Sequence, residues 1–564
     1  MFTQLLNHPN HHRAEVTALI TRSVTHLPGI TPSMIERVFV EGYRRFKKLD
    51  VALSAPLNIL VGDNESGKST LLEAIAIGLT GRVNGRWMVE ELNPYWFHRP
   101  NVEEYFGSYG SQQSAPPPEI LIEVYLRNDT AVQRLRGVHN SASTDCPGIR
   151  VHIAPSPEYE QEFSEYMTKQ PPPVIPVEFY SVDWHDFADQ PLTQRPKELA
   201  TAYIDARTIR STSGVDYHTR EMLAEHLDSR ERTSISVAHR LGRQQITDDV
   251  LAPINARIAA ENPTLRDRSV GLQMDQTSRT SWESGVVPQV DDIPFAMVGQ
   301  GLQASLKVAL AMSRTAGTST YVLVEEPENH LSYTTLTRLL ARLQHLASDD
   351  QQLFIATHSS FVLNRLGLDR MLLLHDGRTA TLSSLGDDTV GYFRKLAGYD
   401  TLRLVLADRL ALVEGPSDAL VLERAIRDAT GKAPLDLGVD IVSMGGLTFR
   451  RALEVCSCLE RQVVALQDND GKEPTSVVAP IEHLLHPPTR VLFVSDPSNG
   501  PTLEPQVIAA NDDATLREVL GLTDRVDLAT WMRNNKSEAA LRILDADQRI
   551  RYPAYILEAV AVLQ

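Results

Sequence analysis

The sequence LNILVGDNESGKSTLLEAI, residues 57–75, has the residue types and spacing of a phosphate-binding loop. An apolar strand leads into two glycines five positions apart, and Lys-Ser-Thr then opens an apolar helix. Glycines let consecutive backbone N–H groups point at an anion, and the helix adds the positive end of its dipole. A turn that only joins a strand to a helix would not require all of these positions. The predicted nucleotide ligands are Gly62, Asn64, Gly67, Lys68, Ser69 and Thr70, with Lys68 on the β- and γ-phosphates and Ser69 on Mg²⁺.

Two carboxylates end a second apolar strand in the sequence STYVLVEEPENHLS, residues 319–332. We expect Glu325 to face Mg²⁺ and Glu326 to polarise the attacking water. A further strand ends at His358, at a spacing that fits a sensor of the γ-phosphate, although a lone histidine is more often structural. The glycine-rich sequence VGQGLQ, residues 298–303, opens another helix and is again favourable for an anion.

Carboxylates at the ends of apolar strands also mark the last third of the chain. LALVEG brings Glu414 to a turn, with Asp418 at the start of the next helix, and VVALQDND brings Asp468 and Asp470 together. Residues i and i+2 share one face of an extended strand, so both aspartates can serve one metal region. Such oxygen ligands suit Mg²⁺ or Mn²⁺ rather than zinc. Any one of these acids alone would more often be a solvated surface residue, and the prediction depends on the ordered set.

Two later segments could complete this acidic site. VSDPSNGPTLEP adds Asp496 and Glu504, and NNKSEAAL opens a helix with Lys536. Lys536 could offset negative charge that develops on a phosphodiester. Asp496 is the weakest candidate, because its context is that of a turn residue.

Composition limits the class of protein. The net charge of −17 argues against a generally basic nucleic-acid-binding surface, but it allows a local basic groove or contacts through metal ions. Cys146, Cys456 and Cys458 form neither a disulfide framework nor a zinc spacing, so we expect reduced thiols and a cytoplasmic location. No apolar run is long enough to cross a membrane, and residues 1–13 lack a signal-peptide core.

The order of the first motifs resembles that of ABC-type ATPases of the SMC/RecF kind. The phosphate loop is followed by a glycine-rich helix start, then by EEPENHL and ATHS. Two positions depart from that family. Glu325 stands where Asp is usual, and VGQGLQ lacks the serine of the transporter signature, so an interface across a partner's ATP does not follow from it.

The later acids resemble those of a Toprim domain. Glu-Gly-x-x-Asp, then Gly-Gly at 445–446, then Asp-x-Asp stand in that family's order. The resemblance makes Glu414, Asp468 and Asp470 the core acids. The additional residues that resemble the nuclease variant, which binds two metals, are Asp418, Glu504 and Lys536.

An ABC-type ATPase followed by a Toprim domain is the arrangement of the Overcoming-Lysogenisation-Defect (OLD) family of nucleases, which includes the nuclease subunit of the Gabija phage-defence system. The resemblance covers about residues 34–206 and 290–545. It implies ATP binding, two Mg²⁺ or Mn²⁺ ions, and DNA cleavage under nucleotide control, with the direction of that control open. It also implies a homodimer or larger homo-oligomer, a helicase-like or retron partner, and a role in phage defence.

Two other functions remain as alternatives to the nuclease. One is a RecF- or SMC-like DNA clamp with a structural Toprim domain. The other is a Toprim strand-transfer enzyme such as a primase or topoisomerase, which the absence of zinc-ribbon cysteines and the attached ATPase disfavour.

These resemblances predict an α/β fold in which a helical insertion interrupts an ABC-type ATPase and a Toprim α/β domain follows. The insertion could dimerise, or it could pack on its own domain. The predicted divisions are an N-terminal helical arm at 1–33, the first ATPase part at 34–206, the insertion at 207–289, the second ATPase part at 290–400, and the Toprim domain at 401–564.

Overall fold

A computed structural model describes most of the chain between Met34 and Gln564. The predicted N-terminal arm lies outside the described residues, as do much of the insertion and most of the helix expected after Gly299. The described residues are 34–53, 56–83, 86–109, 114–169, 174–205, 227–261, 271–275, 282, 286, 289–299, 301–303, 321–329, 331–346, 351–375, 377–396, 401–445, 448–459 and 461–564.

Strands and helices are mixed along the described chain as far as residue 494, and no strand follows it there. The strands are β1 (Ile35–Tyr43), β2 (Phe46–Ala52), β3 (Leu57–Val61), β4 (Arg82–Val83), β5 (Arg86–Trp87), β6 (Ile120–Leu126), β7 (Arg136–Gly137), β8 (Cys146–Pro155), β9 (Tyr180–Asp186), β10 (Thr201–Asp205), β11 (Gln289–Val290), β12 (Ile293–Pro294), β13 (Tyr321–Glu325), β14 (Gln352–Ala356), β15 (Met371–His375), β16 (Arg378–Thr381), β17 (Arg409–Val413), β18 (Val439–Ser443), β19 (Gln462–Gln467) and β20 (Arg490–Val494). The α-helices are α1 (Lys68–Thr80), α2 (Arg99–Ser108), α3 (Glu160–Lys169), α4 (Ser229–Gln245), α5 (Ala252–Glu261), α6 (Tyr333–Leu346), α7 (Ser360–Leu366), α8 (Asp387–Lys395), α9 (Thr401–Leu406), α10 (Pro416–Thr430), α11 (Phe449–Cys458), α12 (Pro474–Val478), α13 (Leu503–Ala510), α14 (Asp513–Leu520), α15 (Leu528–Asn534), α16 (Lys536–Asp545) and α17 (Ala554–Leu563).

Three larger sheets organise these elements. An antiparallel sheet has the order β2-β1-β6-β8-β7, with β9 also paired to β8. A second sheet has the order β10-β13-β14-β3-β15-β16, parallel except for β16 at its edge. The third sheet is parallel, in the order β18-β17-β19-β20. The predicted α/β fold is confirmed in the described residues, since the parallel strands of the second and third sheets are joined largely through helices.

Helix α1 packs between the first two sheets, and its buried leucines and isoleucines share a core with both. The helix can approach β6 closely because Gly78 has no side chain there. A Cβ at Gly78 would lie 2.7 Å from Val124 Cγ2. Gly78 O also accepts a hydrogen bond of 2.9 Å from Trp184 Nε1, which joins α1 to β9.

The central strands of the second sheet are buried along their whole length, as expected for parallel strands covered on both faces. All five residues of β3, β13 and β14 are buried. Since these strands are parallel, their carboxyl ends lie at one edge of the sheet. The phosphate loop, the two glutamates after β13 and His358 after β14 are therefore positioned at that edge.

The second and third sheets share one hydrophobic core, to which α7, α8, α9 and α11 contribute. Arg451 of α11 joins the two parts of the chain. Its Nη1 donates a 3.2 Å hydrogen bond to Thr389 Oγ1 in α8. The ATPase part and the Toprim part are thus packed against each other.

Within the predicted insertion, residues 229–261 are helical. Helix α4 begins at a capping box formed by Asp228 and Glu231, and it continues through a π-helical turn (Ile246–Leu251) into α5. No residue of α4 or of the π-helical turn is buried. Whether this helix serves dimerisation stays a prediction.

Candidate functional site

The phosphate loop has a backbone that only glycine adopts without strain at its last position. Gly67 has φ 101°, in the left-handed region. A Cβ at this position would also lie 2.5 Å from Phe46 Cζ in β2. The predicted glycine is therefore required both by backbone conformation and by close packing.

The side chain of Lys68 folds back onto the phosphate loop. This residue is only 5% exposed. Its Nζ donates hydrogen bonds of 2.8 Å to Gly62 O and 2.9 Å to Asp63 O. An ammonium group is thus positioned where the loop would receive phosphate oxygens.

Glu325 lies at the end of β13 and is 3% exposed. The Ser69 hydroxyl donates to its Oε1, so the two residues predicted to share Mg²⁺ are in direct contact. Tyr203 OH donates to Glu325 Oε2 at 2.9 Å. No sequence pattern marks Tyr203, because its position depends on the pairing of β10 with β13, across more than one hundred residues.

Glu326 and His358 meet across the ends of β13 and β14. Glu326 has φ 45°, and its backbone N–H donates to Ala356 O at 2.8 Å. The side chain accepts a hydrogen bond of 2.6 Å from Asn329 Nδ2, and His358 Nε2 lies 3.8 Å from its Oε1. Glu326, the predicted base, and His358, the predicted γ-phosphate sensor, therefore lie on the same side of the phosphate loop.

Glu328 is a further residue that the sequence analysis did not single out. Its Oε1 accepts hydrogen bonds from Thr357 Oγ1 at 2.8 Å and from the His358 backbone N–H at 2.9 Å. Burial raises the pKa of the Glu328 carboxyl above its usual range. Glu328 therefore fixes the turn on which His358 lies.

These groups surround a cavity of about 400 Å³, within the range of small-molecule and cofactor sites. Two arginines from the β1–β2 turn line it, although the sequence analysis gave them no role. The lining comprises Arg44, Arg45, Asn64, Glu65, Gly67, Lys68, Ser69, Thr70, Glu326, Ala356 and His358. Every predicted nucleotide residue lines this cavity except Gly62 and Glu325, which contact Lys68 and Ser69.

The second cluster lies at the carboxyl ends of β17 and β19, which are adjacent parallel strands. Glu414 follows β17, and Asp468 follows β19. Glu414 Oε1 accepts a 3.0 Å hydrogen bond from the Asp468 backbone N–H. The sheet order thus brings together two acids that are separated by more than fifty residues.

Asp468 is 8% exposed, and its Oδ1 has no hydrogen-bond partner. Burial and the negative charges of Asp418 and Glu414 raise the pKa of Asp468 to about 8. Burial also raises the pKa of Asp418 to about 6, and its Oδ2 accepts the Gly415 N–H at 3.1 Å. Carboxylates pushed together in this way favour protons or a cation, since either removes the repulsion.

Buried hydrogen bonds of Asn469 hold the turn that follows Asp468. Asn469 is fully buried, and its Nδ2 donates to Ser495 Oγ at 2.9 Å and to Gly500 O at 2.8 Å. Asp470, with φ 49°, donates its N–H to Pro501 O at 3.2 Å. Asn469 therefore positions the Asp-x-Asp turn. The sequence did not indicate this role, because the motif marks the two aspartates and not the residue between them.

Glu504 and Lys536 form an ion pair, with Lys536 Nζ 3.2 Å from Glu504 Oε1. The Glu504 side chain is 6% exposed and that of Lys536 is 49% exposed. Asp496 is exposed and accepts the Ser498 N–H at 2.9 Å, so the turn role that the sequence favoured is the one observed.

Tyr555 of α17 also faces the acidic cluster. Its pKa is raised well above the usual value by burial and by the charges of Asp468, Asp418 and Glu414. No sequence pattern marked this tyrosine, because it lies in an apolar helix far along the chain.

Carboxylate oxygens are suitable ligands for Mg²⁺ or Mn²⁺, but these acids do not by themselves surround a metal position. Within the ranges that the structure describes, no three His, Cys, Asp or Glu side chains converge closely enough to hold a metal ion. Mg²⁺ is usually held by one or two carboxylates together with water and substrate phosphates. The buried Asp468 Oδ1 without a partner fits that mode. The residues that would hold the ions are Glu414, Asp418, Asp468, Asp470 and Glu504.

Family comparisons assign both parts of the chain. Residues 405–470 match the model described as Overcoming lysogenization defect protein-like, TOPRIM domain. Residues 37–144 match an AAA domain, and residues 238–364 match the model described as AAA domain, putative AbiEii toxin, Type IV TA system. The chain thus joins ATPase segments to an OLD-like Toprim domain, as OLD-family ATPase-Toprim nucleases do. The relation to Gabija stays a prediction.

Solved structures that match about 62–63% of this chain include SMC heads and RecF. An SMC head bound to the C-winged helix domain of ScpA has 13% identity and TM-score 0.32, covering 62% of this chain and 99% of that one. RecF with ATP, from the RecFOR pathway, has 13% identity and TM-score 0.32, covering 63% and 100%. The SMC head domain from Thermotoga maritima has 11% identity and TM-score 0.28, covering 62% and 98%.

The comparison with curated proteins found no match. A search of the described helices for one long and apolar enough to cross a membrane also found none.

Proposed function

Because the chain joins an SMC/RecF-like ATPase to an OLD-like Toprim domain, we propose that it is a nucleotide-regulated, metal-dependent DNA endonuclease. One observation carries the proposal. Asp468 Oδ1 is buried without a hydrogen-bond partner, in a cluster whose charges raise the pKa of this carboxyl to about 8. A bound cation would give Asp468 Oδ1 a partner and would reduce the repulsion between the carboxylates.

The acids after β17 and β19 would hold the metal ions against a phosphodiester. Two bound divalent ions would supply charge stabilisation for the attacking and leaving oxygens. Glu414 and Asp468 are fixed relative to each other by the hydrogen bond from the Asp468 N–H. Lys536, held by Glu504 and half exposed, would stabilise negative charge that develops on the phosphate.

The phosphate loop would bind ATP and adjust the nuclease. Lys68 would exchange its bonds with two loop carbonyls for bonds with phosphate oxygens. Ser69 and Glu325 would hold the nucleotide's Mg²⁺, and Tyr203 would keep the Glu325 carboxylate oriented. Glu326 would activate water, with His358 close to the same phosphate.

The proposal extends to the setting of the enzyme. We expect DNA as substrate, a homodimer or larger homo-oligomer, and a cytoplasmic role in phage defence, with a helicase-like or retron partner. These features rest on the resemblance to the OLD family.

Supercoiled-plasmid cleavage in Mg²⁺ or Mn²⁺ tests the proposal directly. Asp468→Ala should reduce the cleavage rate at least about a hundredfold, because it removes a ligand of the metal ions that would act on the reacting phosphate. Asp496→Ala, an exposed acid of the same domain, should cut like the wild type. Equal rates for wild type and Asp468→Ala would refute the nuclease.

A second candidate is a DNA-binding ATP clamp with a structural Toprim domain. One observation favours it: no group of three metal-ligating side chains is assembled among the described residues. The clamp would bind DNA in an ATP-dependent manner and cut nothing in either metal. The same plasmid assay, combined with a DNA-binding measurement, separates the two functions.

A further inference from the structure

A second cavity lies beside the acidic cluster and takes no part in the proposed chemistry. Its volume is about 480 Å³. It lies between the loop before α13, helix α13 itself, and the segment that leads into α17. Its exposed surface is apolar at Ala509, Ala554 and Leu557 and polar at Asn499 and Arg551.

The cavity and the acids share their supporting elements. Helix α13 contributes Glu504 from its first turn to the acidic cluster and Ala509 from its last turn to the cavity. Helix α17 directs Tyr555 toward the acids and exposes Ala554 and Leu557 in the cavity. The two sites also share one turn, because Gly500 O accepts hydrogen bonds both from Gln506 of the cavity wall and from Asn469 between the two aspartates.

The walls are fixed by hydrogen bonds that do not need a ligand. Asn511 bonds both backbone groups of Arg551, with its Nδ2 2.8 Å from Arg551 O and its Oδ1 2.7 Å from Arg551 N. Gln506 Nε2 donates to Gly500 O at 2.7 Å, and Tyr552 OH donates to Asp428 Oδ2 at 2.6 Å. The cavity is therefore preformed, as binding sites usually are.

The occupant must suit apolar side chains with an amide and a guanidinium beside them. A nucleobase has apolar faces and hydrogen-bonding edges, and its backbone phosphate would pair with the exposed guanidinium of Arg551.

We propose that this cavity receives one nucleobase of the DNA strand, next to the phosphodiester held at the acidic cluster. The inference rests on the proposed nuclease function and adds a nucleotide subsite to it. Arg551 would contact the backbone phosphate, Asn499 the edge of the base, and Ala509, Ala554 and Leu557 its face. Such a subsite would hold the strand in one register relative to Glu414 and Asp468.

Filling the cavity tests the subsite, with binding measured in Ca²⁺ to a short single-stranded oligonucleotide. Ala509→Trp should weaken binding about tenfold, or about 1.4 kcal/mol, because the indole would occupy the space of the base. Arg551→Ala should weaken it too and make binding less dependent on salt. Ala341→Trp, which changes an exposed alanine of α6 that does not line the cavity, is the matched control.

An abasic scan makes the test specific. In the wild type, one position of the oligonucleotide should lose about tenfold in affinity when its base is removed, and Ala509→Trp should be insensitive to that removal. Additive effects of the two changes would overturn the subsite. So would a loss of self-association in Ala509→Trp with unchanged DNA binding, which would make the cavity a protein contact. If the wild type neither binds nor cuts DNA, the proposed function itself fails.

Discussion

At the scale of single residues, the two candidate sites are held by side chains that touch the predicted ones. Tyr203 holds Glu325, Glu328 holds the turn of His358, and Asn469 holds the Asp-x-Asp turn. None of the three has a sequence pattern of its own. Their roles follow from long-range strand pairing, which one sequence does not reveal.

A variant of Tyr203 tests whether the residues that hold the predicted site residues in place contribute to activity. Tyr203→Phe removes only the hydroxyl that donates to Glu325 Oε2. We expect the rate of ATP hydrolysis to fall by about 10–100-fold, as is usual when a metal ligand loses a hydrogen-bond partner, and the ATP affinity to change little. Tyr333→Phe, at an exposed tyrosine of α6, is the control. Unchanged hydrolysis in Tyr203→Phe would show that the carboxylate needs no support.

Asp468 should make stability depend on pH in the absence of divalent ions. Its pKa is about 8 in the fold, against about 3.9 in an unfolded chain. Between these values the folded state keeps a proton that the unfolded state releases, so the free energy of unfolding falls as pH rises from about 4 to 8. Asp468→Asn removes this loss.

Thermal unfolding in EDTA measures the effect. The variant's advantage in Tm over the wild type should be small at pH 5 and should grow toward pH 8. Mg²⁺ should raise the Tm of the wild type at pH 8 more than that of Asp468→Asn. Parallel Tm curves for the two proteins would contradict the account.

At the scale of elements, the sequence predicted the strands that carry chemistry better than their surroundings. Strands β3, β13, β17 and β19 are apolar runs that end in a motif, and each was expected where it lies. The sheet order and the placement of α17 beside the acids were not readable. Both depend on pairings between distant segments, for which a single sequence gives no local signal.

The loop before α1 supplies a prediction at this scale. Gly67→Ala would place a methyl group 2.5 Å from Phe46 Cζ on a backbone with φ 101°. The loop must then shift, so we expect ATP affinity to fall at least about tenfold. Gly391→Ala, in α8 with open space at its Cβ position, should keep wild-type affinity in the same titration. Equal affinities for both variants would show that the loop tolerates the displacement.

At the scale of the whole molecule, the two sites are connected through packed structure. The ATPase and Toprim sheets share a core. His375, at the end of β15, has one ring nitrogen 3.8 Å from Asp63 of the phosphate loop and the other 3.8 Å from Asp408. Arg461, which precedes β19, lies 3.5 Å from Asp408. We expect these contacts to connect the phosphate loop with the acids that follow β17 and β19.

His375→Ala tests that route. The variant removes the ring that lies between Asp63 and Asp408, and a loss of about 0.2–1 kcal/mol in coupling would shrink the factor by which ATP changes cleavage about 1.4- to 5-fold. Cleavage without ATP should stay unchanged. His483→Ala, at an exposed histidine of the Toprim domain, serves as the control. An ATP response equal to that of the wild type would exclude His375 from the coupling.

The central claim is that nucleotide bound at the phosphate loop regulates cleavage at the Toprim acids. Supercoiled-plasmid cleavage in Mg²⁺ or Mn²⁺, with and without ATP, tests it in wild type, Glu414→Ala and Lys68→Ala. We predict that ATP changes the wild-type rate, that Glu414→Ala abolishes cutting in every condition, and that Lys68→Ala cuts without responding to ATP. Cleavage by Glu414→Ala, or a wild-type ATP response in Lys68→Ala, would contradict the account.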